Sequence, residues 1–498
     1  MNNADIQRLL VYRQEAGTFL SVNELQTIFD QSTFSRIRPF VTVPDATRSF
    51  NRRILRRIVH EPNNYLLLRW ARTVEPQLGY TEQASPSRRY AGTPDQFYAR
   101  FRVSRAGDFS LGMTMKKDAG ETLTWTPAKN YYGFDYTSLH AQVMNKGRIR
   151  NLIVGDFQAQ FGQGLTLGSV FGIGKNGEAV ATMRRANLGF LPYTSLYEAG
   201  YFRGAALSVA ISKHFTLHTL ASRRGRDGVV IQDTAATTAD YLSSFSYSGL
   251  HRTASEQAAR NSFSESNLAS VLQFKNNFID AGLIGHFTHF NKPLIRPATV
   301  YNQFYFAGDQ NVNLGGYLNI TRSNYSFFSE VAQTQGQGLG LVTGVLVSAT
   351  ARLDLSMVYR RFEKNFYSFY SNAIAENSVC QNETGMYWGW KYAINKKTSV
   401  TGYVDLFMFP WLRYRSYAPS DGNEWLVRLN HKPSKTVSFF VQMRTTAKQR
   451  NTGIDHNLYK TDQGIKRSYW INCDYQANGN VSFRARSSAV TKSMAGKP

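Results

Sequence analysis

Alternation of apolar and polar side chains is the feature that most restricts what this chain can fold into. The clearest example is a pair of runs joined by the turn Ala106-Gly107-Asp108. Its apolar positions are Phe97, Ala99, Phe101, Val103, Phe109, Leu111, Met113 and Met115. Successive side chains of a β-strand point to opposite faces, so this period predicts a hairpin with one apolar and one polar face.

The same period recurs along most of the chain. Further examples lie at 353–360, 425–430, 437–444 and 481–486. We count about 18 such segments between residues 64 and 490, or about 24 residues per strand with its connection. This predicts a mainly β protein built as a large antiparallel outer-membrane-type β-barrel, with short turns at one end and long loops at the other.

Composition agrees with a barrel whose interior is polar. Aromatic residues make up 14% of the chain, yet polar residues are frequent between them. No stretch reaches the roughly 18 uncharged apolar residues of a membrane-spanning helix. The longest apolar run, at 338–351, is rich in glycine and β-branched residues and predicts a strand.

A soluble β-sandwich or solenoid is the alternative, because a half-buried soluble sheet alternates in the same way. Charged residues within the strands, such as Arg100 and Asp405, argue against it. A group of aromatic residues near strand ends also suggests an interfacial girdle, consisting of Phe407, Phe409, Trp411, Tyr414 and Tyr417.

Two long connections interrupt the regular spacing, at 168–199 and 232–265. In the second, Thr253 and Glu256 have the spacing of a capping box, which predicts a short helix. Connections of this length are usually functional or disordered. In a barrel they are candidates for surface loops or for a constriction of the lumen.

The N-terminal region has a different period. Apolar residues recur at helical spacing and predict three short helices within residues 1–45. A basic linker follows at 46–63, and we assign residues 64–498 to the barrel. The first residues lack the charged head and apolar core of a signal peptide.

Motifs for chemistry are weak. Gly172-Ile173-Gly174-Lys175-Asn176-Gly177 matches the dinucleotide fingerprint only as a string, without the strand, helix and acidic residue that the fingerprint needs. Neither the pair His286 and His289 nor the pair His214 and His218 has the spacing that would place both rings on one ion. We therefore predict no catalytic residue, no cofactor and no metal site. A hydrolase whose residues lie on separate strands is left open.

Positive charge is the one functional signal. The chain has 58 Lys and Arg against 34 Asp and Glu, a formal net charge of +24. The basic residues predicted to line the lumen are Arg100, Arg102, Lys116, Arg360, Arg444 and Arg484. A positive lumen favours anions. The alternatives are that these residues pair with lumen carboxylates or contact anionic lipopolysaccharide.

The helical region resembles a known DNA-binding unit. The segment Leu9-Leu10-x-Tyr12-Arg13, followed by Gly17-x-Phe19-x-Ser21-Val22-x-Glu24-Leu25, resembles the second half of a competence-type helix-hairpin-helix domain. The resemblance implies binding of DNA phosphates through backbone amides. The hairpin after Leu25 departs from the family pattern, because Phe29-Asp30-Gln31-Ser32 lacks the Gly-apolar-Gly sequence.

The barrel region resembles the one that follows such a head in large outer-membrane proteins of Bacteroidota. Matching stretches are YLLLRWART (65–73), VGDFQAQFGQGLTL (154–167), GLHRT (249–253) and FPWLRYRSYAPSDGNEWL (409–426). The resemblance implies residence in the bacterial outer membrane, in contact with its lipid. It also leads us to expect that the sequence is a fragment, with an export signal upstream and the strands that close the barrel downstream.

Three functions follow as hypotheses, all non-enzymatic. The first is a barrel that binds or passes a macromolecule, with DNA or another polyanion engaged by a periplasmic head. The second is an assembly scaffold whose N-terminal helices bind a protein partner. The third is a diffusion porin that prefers anions.

Overall fold

The computed structural model describes most of the chain, namely residues 3–16, 19, 22–29, 33–34, 37, 40–41, 53–126, 131–170, 172, 174–232, 240–455, 458–479 and 481–494. The α-helices are α1 (Asn3–Ala16), α2 (Arg53–Val59) and α3 (Ala254–Ala259). Short 3-10 helices lie at Val22–Thr27, Leu78–Tyr80 and Pro86–Arg88. Within these residues, no helix has the length and apolar character needed to cross a membrane.

Strands make up most of the described residues. The first twelve are β1 (Asn64–Arg72), β2 (Asp95–Arg105), β3 (Phe109–Lys117), β4 (Thr124–Thr126), β5 (Tyr131–Gly133), β6 (Tyr136–Lys146), β7 (Ile149–Gln160), β8 (Gly189–Pro192), β9 (Phe202–Ala210), β10 (Phe215–Arg226), β11 (Gly228–Ile231) and β12 (Tyr241–Phe245). The others are β13 (Phe263–Lys275), β14 (Ile279–Leu294), β15 (Gly308–Arg322), β16 (Tyr325–Thr334), β17 (Leu339–Thr350), β18 (Leu353–Phe362), β19 (Glu383–Asn395), β20 (Thr398–Phe409), β21 (Ser420–His431), β22 (Val437–Asp455), β23 (Leu458–Gln476) and β24 (Ser482–Met494).

One sheet of 22 strands contains all of these except the small hairpin β4–β5. Strands β8, β11 and β12 are short additions, and the other 19 form a continuous antiparallel series in which each strand pairs with the next. The predicted fold class is confirmed. Among the described residues, β1 pairs with β2 and β24 pairs with β23, and neither has a partner on its other side.

Connections of two lengths alternate along the series. At one end the strands are joined by short turns, such as those at 106–108, 147–148 and 351–352. At the other end lie long connections, including 161–201, 227–262 and 363–382. The predicted division into short turns and long loops is confirmed. In outer-membrane barrels the short turns are periplasmic and the long loops extracellular.

The two faces of the sheet differ as a membrane barrel requires. The outer face carries exposed apolar side chains on successive strands, among them Leu139, Leu268, Leu283, Leu314 and Ile471. The inner face carries buried polar and charged residues, among them Gln142, Asn267, Asn313, Glu330 and Asp405. Lipid tolerates the first set, whereas a polar lumen accommodates the second. The chain is therefore an outer-membrane β-barrel protein.

Some local predictions are confirmed and one is wrong. The apolar run at 338–351 contains β17, and Thr253 and Glu256 form the capping box of α3. The aromatic girdle is wrong for Phe407 and Phe409, which are buried on the inner face. These two residues share the inward parity of Asp405 on β20, so they fill the lumen instead of meeting the membrane surface.

The N-terminal helices pack around a small apolar cluster formed by Leu25, Ile28, Phe29 and Phe34. Of the three predicted helices, the structure has α1 and the 3-10 helix at Val22–Thr27, and the third lies largely outside the described residues. The predicted linker contains α2, and Arg57 on that helix binds Asp108 in the β2–β3 turn at 3.2 Å. This helix therefore docks against the short-turn end of the barrel.

Candidate functional site: a filled lumen beside a basic cavity

Two long connections fold into the lumen instead of projecting from it. We call residues 161–188, between β7 and β8, the first plug segment, and residues 363–382, between β18 and β19, the second plug segment. Phe161, Leu165 and Leu167 of the first segment are fully buried. Within the predicted connection at 168–199, Ala179 and Met183 are buried and Tyr197 is exposed, so its first part forms the predicted lumen constriction.

One wall carboxylate anchors the first plug segment. Glu330 on β16 is fully buried, and its two oxygens accept backbone N–H groups from Gln163 at 2.5 Å, Leu165 at 3.1 Å and Thr166 at 3.1 Å. Three convergent amides hold the start of the segment in one conformation. Gly162 permits this approach, because it has φ +55° and a Cβ there would lie 2.6 Å from a Glu330 carboxylate oxygen.

Inward-facing side chains of three successive strands hold the middle of the same segment. Tyr387 Oη on β19 donates to the Ala179 carbonyl at 2.8 Å, and Ser356 Oγ on β18 donates to the same oxygen at 3.1 Å. Thr401 Oγ1 on β20 donates to the Gly177 carbonyl at 2.8 Å. Buried carbonyls need such donors, so the polar inner face is matched to the backbone of the plug.

The two plug segments also bind each other. The Gly168 amide donates to the Tyr370 carbonyl at 2.8 Å, and the Asn372 amide donates to the Gly164 carbonyl at 2.8 Å. Apolar residues from both segments share a core with the wall, consisting of Leu165, Ala179, Met183, Phe328, Ala332, Val342, Val358, Phe362, Phe366, Ala373, Ile374, Cys380, Tyr387, Tyr403 and Leu426. The plug is thus a packed part of the fold.

An ion network links the plug to the wall. Lys175 of the first segment binds Asp405 on β20 at 2.6 Å and Glu424 on β21 at 3.5 Å, and it also contacts Glu376 of the second segment. Arg360 on β18 binds the same Asp405 at 2.8 Å. Each buried charge therefore has an opposite charge and hydrogen bonds, as buried ions require.

A cavity of about 640 Å³ lies beside this network, against strands β21 to β24. Its charged lining comprises five cations and two carboxylates, namely Arg444, Lys448, Arg450, Lys466, Lys492, Glu376 and Glu424. Arg444 binds Glu424 at 2.7 Å, and Lys448 binds Glu376. Both carboxylates are thereby engaged, and the cavity keeps an excess of positive charge.

Three cations of the cavity remain without an anionic partner. In the part of the chain that the structure describes, no carboxylate forms an ion pair with Arg450, Lys466 or Lys492. Lys466 on β23 and Lys492 on β24 are direct cross-strand partners. Like charges placed opposite each other on neighbouring strands repel, so this pair favours an anion between the two ammonium groups.

The basic residues predicted for the lumen fall into separate groups. Arg360 is fully buried between Glu383 and Asp405, and it joins Arg444 in the ion network. Arg484, on the last strand, is exposed and pairs with Asp474.

The other predicted basic residues lie on β2 and β3. Arg100 donates to the Thr194 carbonyl, Arg102 donates to Ser110 Oγ at 3.4 Å, and Lys116 binds Asp118 and Glu198 at 2.8 Å each. For most of the six, the alternative of pairing with carboxylates describes the contacts.

Sequence reasoning missed the two lysines that lack an anionic partner among the described residues. Lys466 and Lys492 become a pair only through the β23–β24 register, which the alternation does not fix. The glycine string at 172–177 lies in the first plug segment, where its described residues form no helix. His286 and His218 are buried and bind Asn267 and Gln273 respectively, at 3.0 and 2.9 Å.

No protein-family model matches the sequence, and no curated protein matches it either. Among solved structures, OccK11 (OpdR) of Pseudomonas aeruginosa is similar at 11% identity with a TM-score of 0.37, over 79% of this chain and 90% of that one. The outer membrane protein OprD of Pseudomonas aeruginosa is similar at 8% identity with a TM-score of 0.37, over 80% and 88% of the two chains. OccAB2 of Acinetobacter baumannii is similar at 8% identity with a TM-score of 0.36, over 78% and 91%. The fold assignment rests on the strand pairing and the apolar outer face.

Proposed function

We propose that this outer-membrane protein is a non-enzymatic channel for small anionic solutes, which enter through the basic cavity beside the plug. The observation that carries the proposal is the cross-strand pair Lys466 and Lys492, which faces the cavity without an anionic partner among the described residues. A positive site with low-dielectric walls raises the local concentration of anions and lowers that of cations.

The size of the cavity sets the class of solute. A volume of about 640 Å³ suits a molecule of metabolite size. Several cationic side chains on one wall suit a solute with more than one carboxylate or phosphate group, because each group then gains its own charge-assisted hydrogen bonds. The plug restricts the rest of the lumen, so passage follows the wall formed by β21 to β24.

Measurement of ion selectivity in planar bilayers tests this proposal. We expect the wild-type protein to show a reversal potential that indicates preference for anions in a salt gradient. The double variant Lys466→Glu and Lys492→Glu reverses the sign of the exposed charge and should shift the preference towards cations.

Arg484→Glu is the matched control for the selectivity measurement. Arg484 lies on the same face of β24 as Lys492, but about 26 Å along the strand, and it is already paired with Asp474. We expect its reversal potential to stay close to that of the wild-type protein. The proposal would be contradicted if the wild-type protein conducted without ion preference. It would also be contradicted if the reversal potential shifted equally in the double variant and in Arg484→Glu.

Binding or passage of a macromolecule is a separate prediction. The resemblance of residues 1–45 to a competence-type helix-hairpin-helix domain, and of the barrel to proteins of Bacteroidota, still predicts DNA binding by a periplasmic head. The contact between Arg57 and Asp108 supports a head at the short-turn end. Passage of a duplex requires the plug to leave the lumen.

Salt-sensitive binding of duplex DNA to the intact protein would support this function, and its absence at low salt would exclude it. A stoichiometric protein partner in native membranes would favour the scaffold hypothesis instead.

A further inference from the structure

We propose that Glu121, Asp135 and His251 form a binding site for a divalent transition-metal ion among the long connections of the barrel. The three side chains are buried, and one ligand atom from each lies within 4.8 Å of the others. Two carboxylates and one imidazole are a ligand set that Zn²⁺ accepts, with room for a further ligand from solvent.

A fourth residue orients the imidazole for this role. Asp227 lies 3.0 Å from His251 Nε2, on the opposite side of the ring from Asp135, which lies 2.5 Å from Nδ1. A carboxylate that accepts a hydrogen bond from Nε2–H leaves Nδ1, beside Asp135, as the ring atom that would bind the ion. Histidine ligands of metal ions are commonly held by a carboxylate in this way.

Charge balance around the cluster also favours a cation. Five carboxylates lie in or beside it, namely Glu121, Asp135, Asp227, Asp118 and Glu198. Lys116 binds Asp118 and Glu198, and Arg260 binds Asp135 at 3.2 Å, while a protonated His251 bridges Asp135 and Asp227. Nearby, Arg252 binds Glu256, and Lys117 binds three backbone carbonyls. A bound divalent ion would displace the proton from Nδ1 and, with two positive charges in place of one, would compensate more of the carboxylate charge than the imidazolium does.

The location of the cluster indicates what the ion would do. Glu121 and Asp135 belong to the connection at 118–135, whereas Asp227 and His251 belong to the connection at 227–262. A shared ion would join these two connections at the end of the barrel that carries the long loops. A cavity of about 220 Å³, lined by Asp135, Asp227 and His251, gives the ion a route from solvent.

Titration with Zn²⁺ alone tests the proposal. Untagged full-length protein in detergent, stripped with a chelator and dialysed, is titrated calorimetrically, and its zinc content is measured after gel filtration. We expect one Zn²⁺ per chain and a rise in the thermal unfolding temperature that chelator reverses. Absence of stoichiometric binding by the folded wild-type protein would overturn the proposal.

Variants distinguish this site from other binding. His251→Gln removes a ligand and should weaken Zn²⁺ binding at least a hundredfold, and Asp227→Asn should weaken it 10- to 100-fold by loosening the imidazole. His214→Gln, at an exposed position in a short turn, is the control and should bind as the wild-type protein does. Each variant is first shown to be folded by its heat-modifiable migration in gels. If folded His251→Gln binds Zn²⁺ with unchanged affinity, the inference is wrong.

Discussion

Removal of the Glu330 carboxylate should release the plug from the barrel wall. In the variant Glu330→Ala, the backbone amides of Gln163, Leu165 and Thr166 lose their acceptor. An unsatisfied buried donor costs about 1–3 kcal/mol, and water in a polar lumen replaces part of that loss. Taking the low end for each amide, the closed position loses about 3 kcal/mol, which raises the population of the open state about a hundredfold.

Labelling of Cys380 reports this opening. Cys380 lies in the second plug segment, is buried, and shares the apolar core with Leu165 of the first segment. Burial raises the pKa of its thiol to about 12, so the closed state holds very little reactive thiolate at pH 8. Cys473 is exposed on β23 and is replaced by serine in all samples. When opening is fast compared with labelling, the maleimide reaction rate follows the open population.

We expect Cys380 in Glu330→Ala to react with maleimide about a hundred times faster than in the parent protein, which carries only Cys473→Ser. Glu363→Ala is the matched control at the start of the second plug segment, because the partly exposed Glu363 side chain accepts one backbone amide, that of Leu339 at 3.0 Å, and water replaces it as acceptor. Its labelling rate should change by less than threefold. If Cys380 reacts equally slowly in Glu330→Ala and in its parent, while both remain folded, the carboxylate does not hold the plug and the reasoning is refuted.

Two further substitutions have defined outcomes. Gly162→Ala places a methyl group against Glu330 at a residue with positive φ, so we expect the closed plug to lose about 1–3 kcal/mol. Faster labelling of Cys380 measures this loss, and an unchanged rate would mean that Glu330 moves to accommodate the methyl group. Arg360→Leu leaves Glu383 and Asp405 buried without their main cation, so we expect the free energy of unfolding in urea to fall by about 3–5 kcal/mol. A loss below about 1 kcal/mol would show that Lys175 alone compensates the charge of Asp405.

The sheet was predictable because its signal is local. Side-chain direction repeats every two residues along a strand, so the faces of β2 and β3 follow directly from the order of their residues. The turn lengths and the capping box at Thr253 are local features as well. The aromatic girdle failed for Phe407 and Phe409 because proximity to a strand end does not tell which face a side chain occupies.

The candidate site was less predictable because its contacts join distant parts of the chain. Glu330 meets Gln163, and Lys466 meets Lys492, only after the sheet has curled and its register is set. A lone glutamate or lysine on an alternating strand gives no sign of its partner. The same holds for His251 and Glu121, whose spacing in the sequence resembles no metal-binding motif.

The sequence by itself determined the mainly β architecture, the apolar outer face and the division between short turns and long connections, since these depend on neighbours within a strand or turn. Only the tertiary structure decided that the connections at 161–188 and 363–382 fill the lumen and that most of the predicted lumen cations are neutralised. It also decided that Lys466 and Lys492 have no anionic partner among the described residues. The physical reason is that alternation assigns each side chain to a face, whereas charge pairing and lumen filling depend on which distant groups share that face.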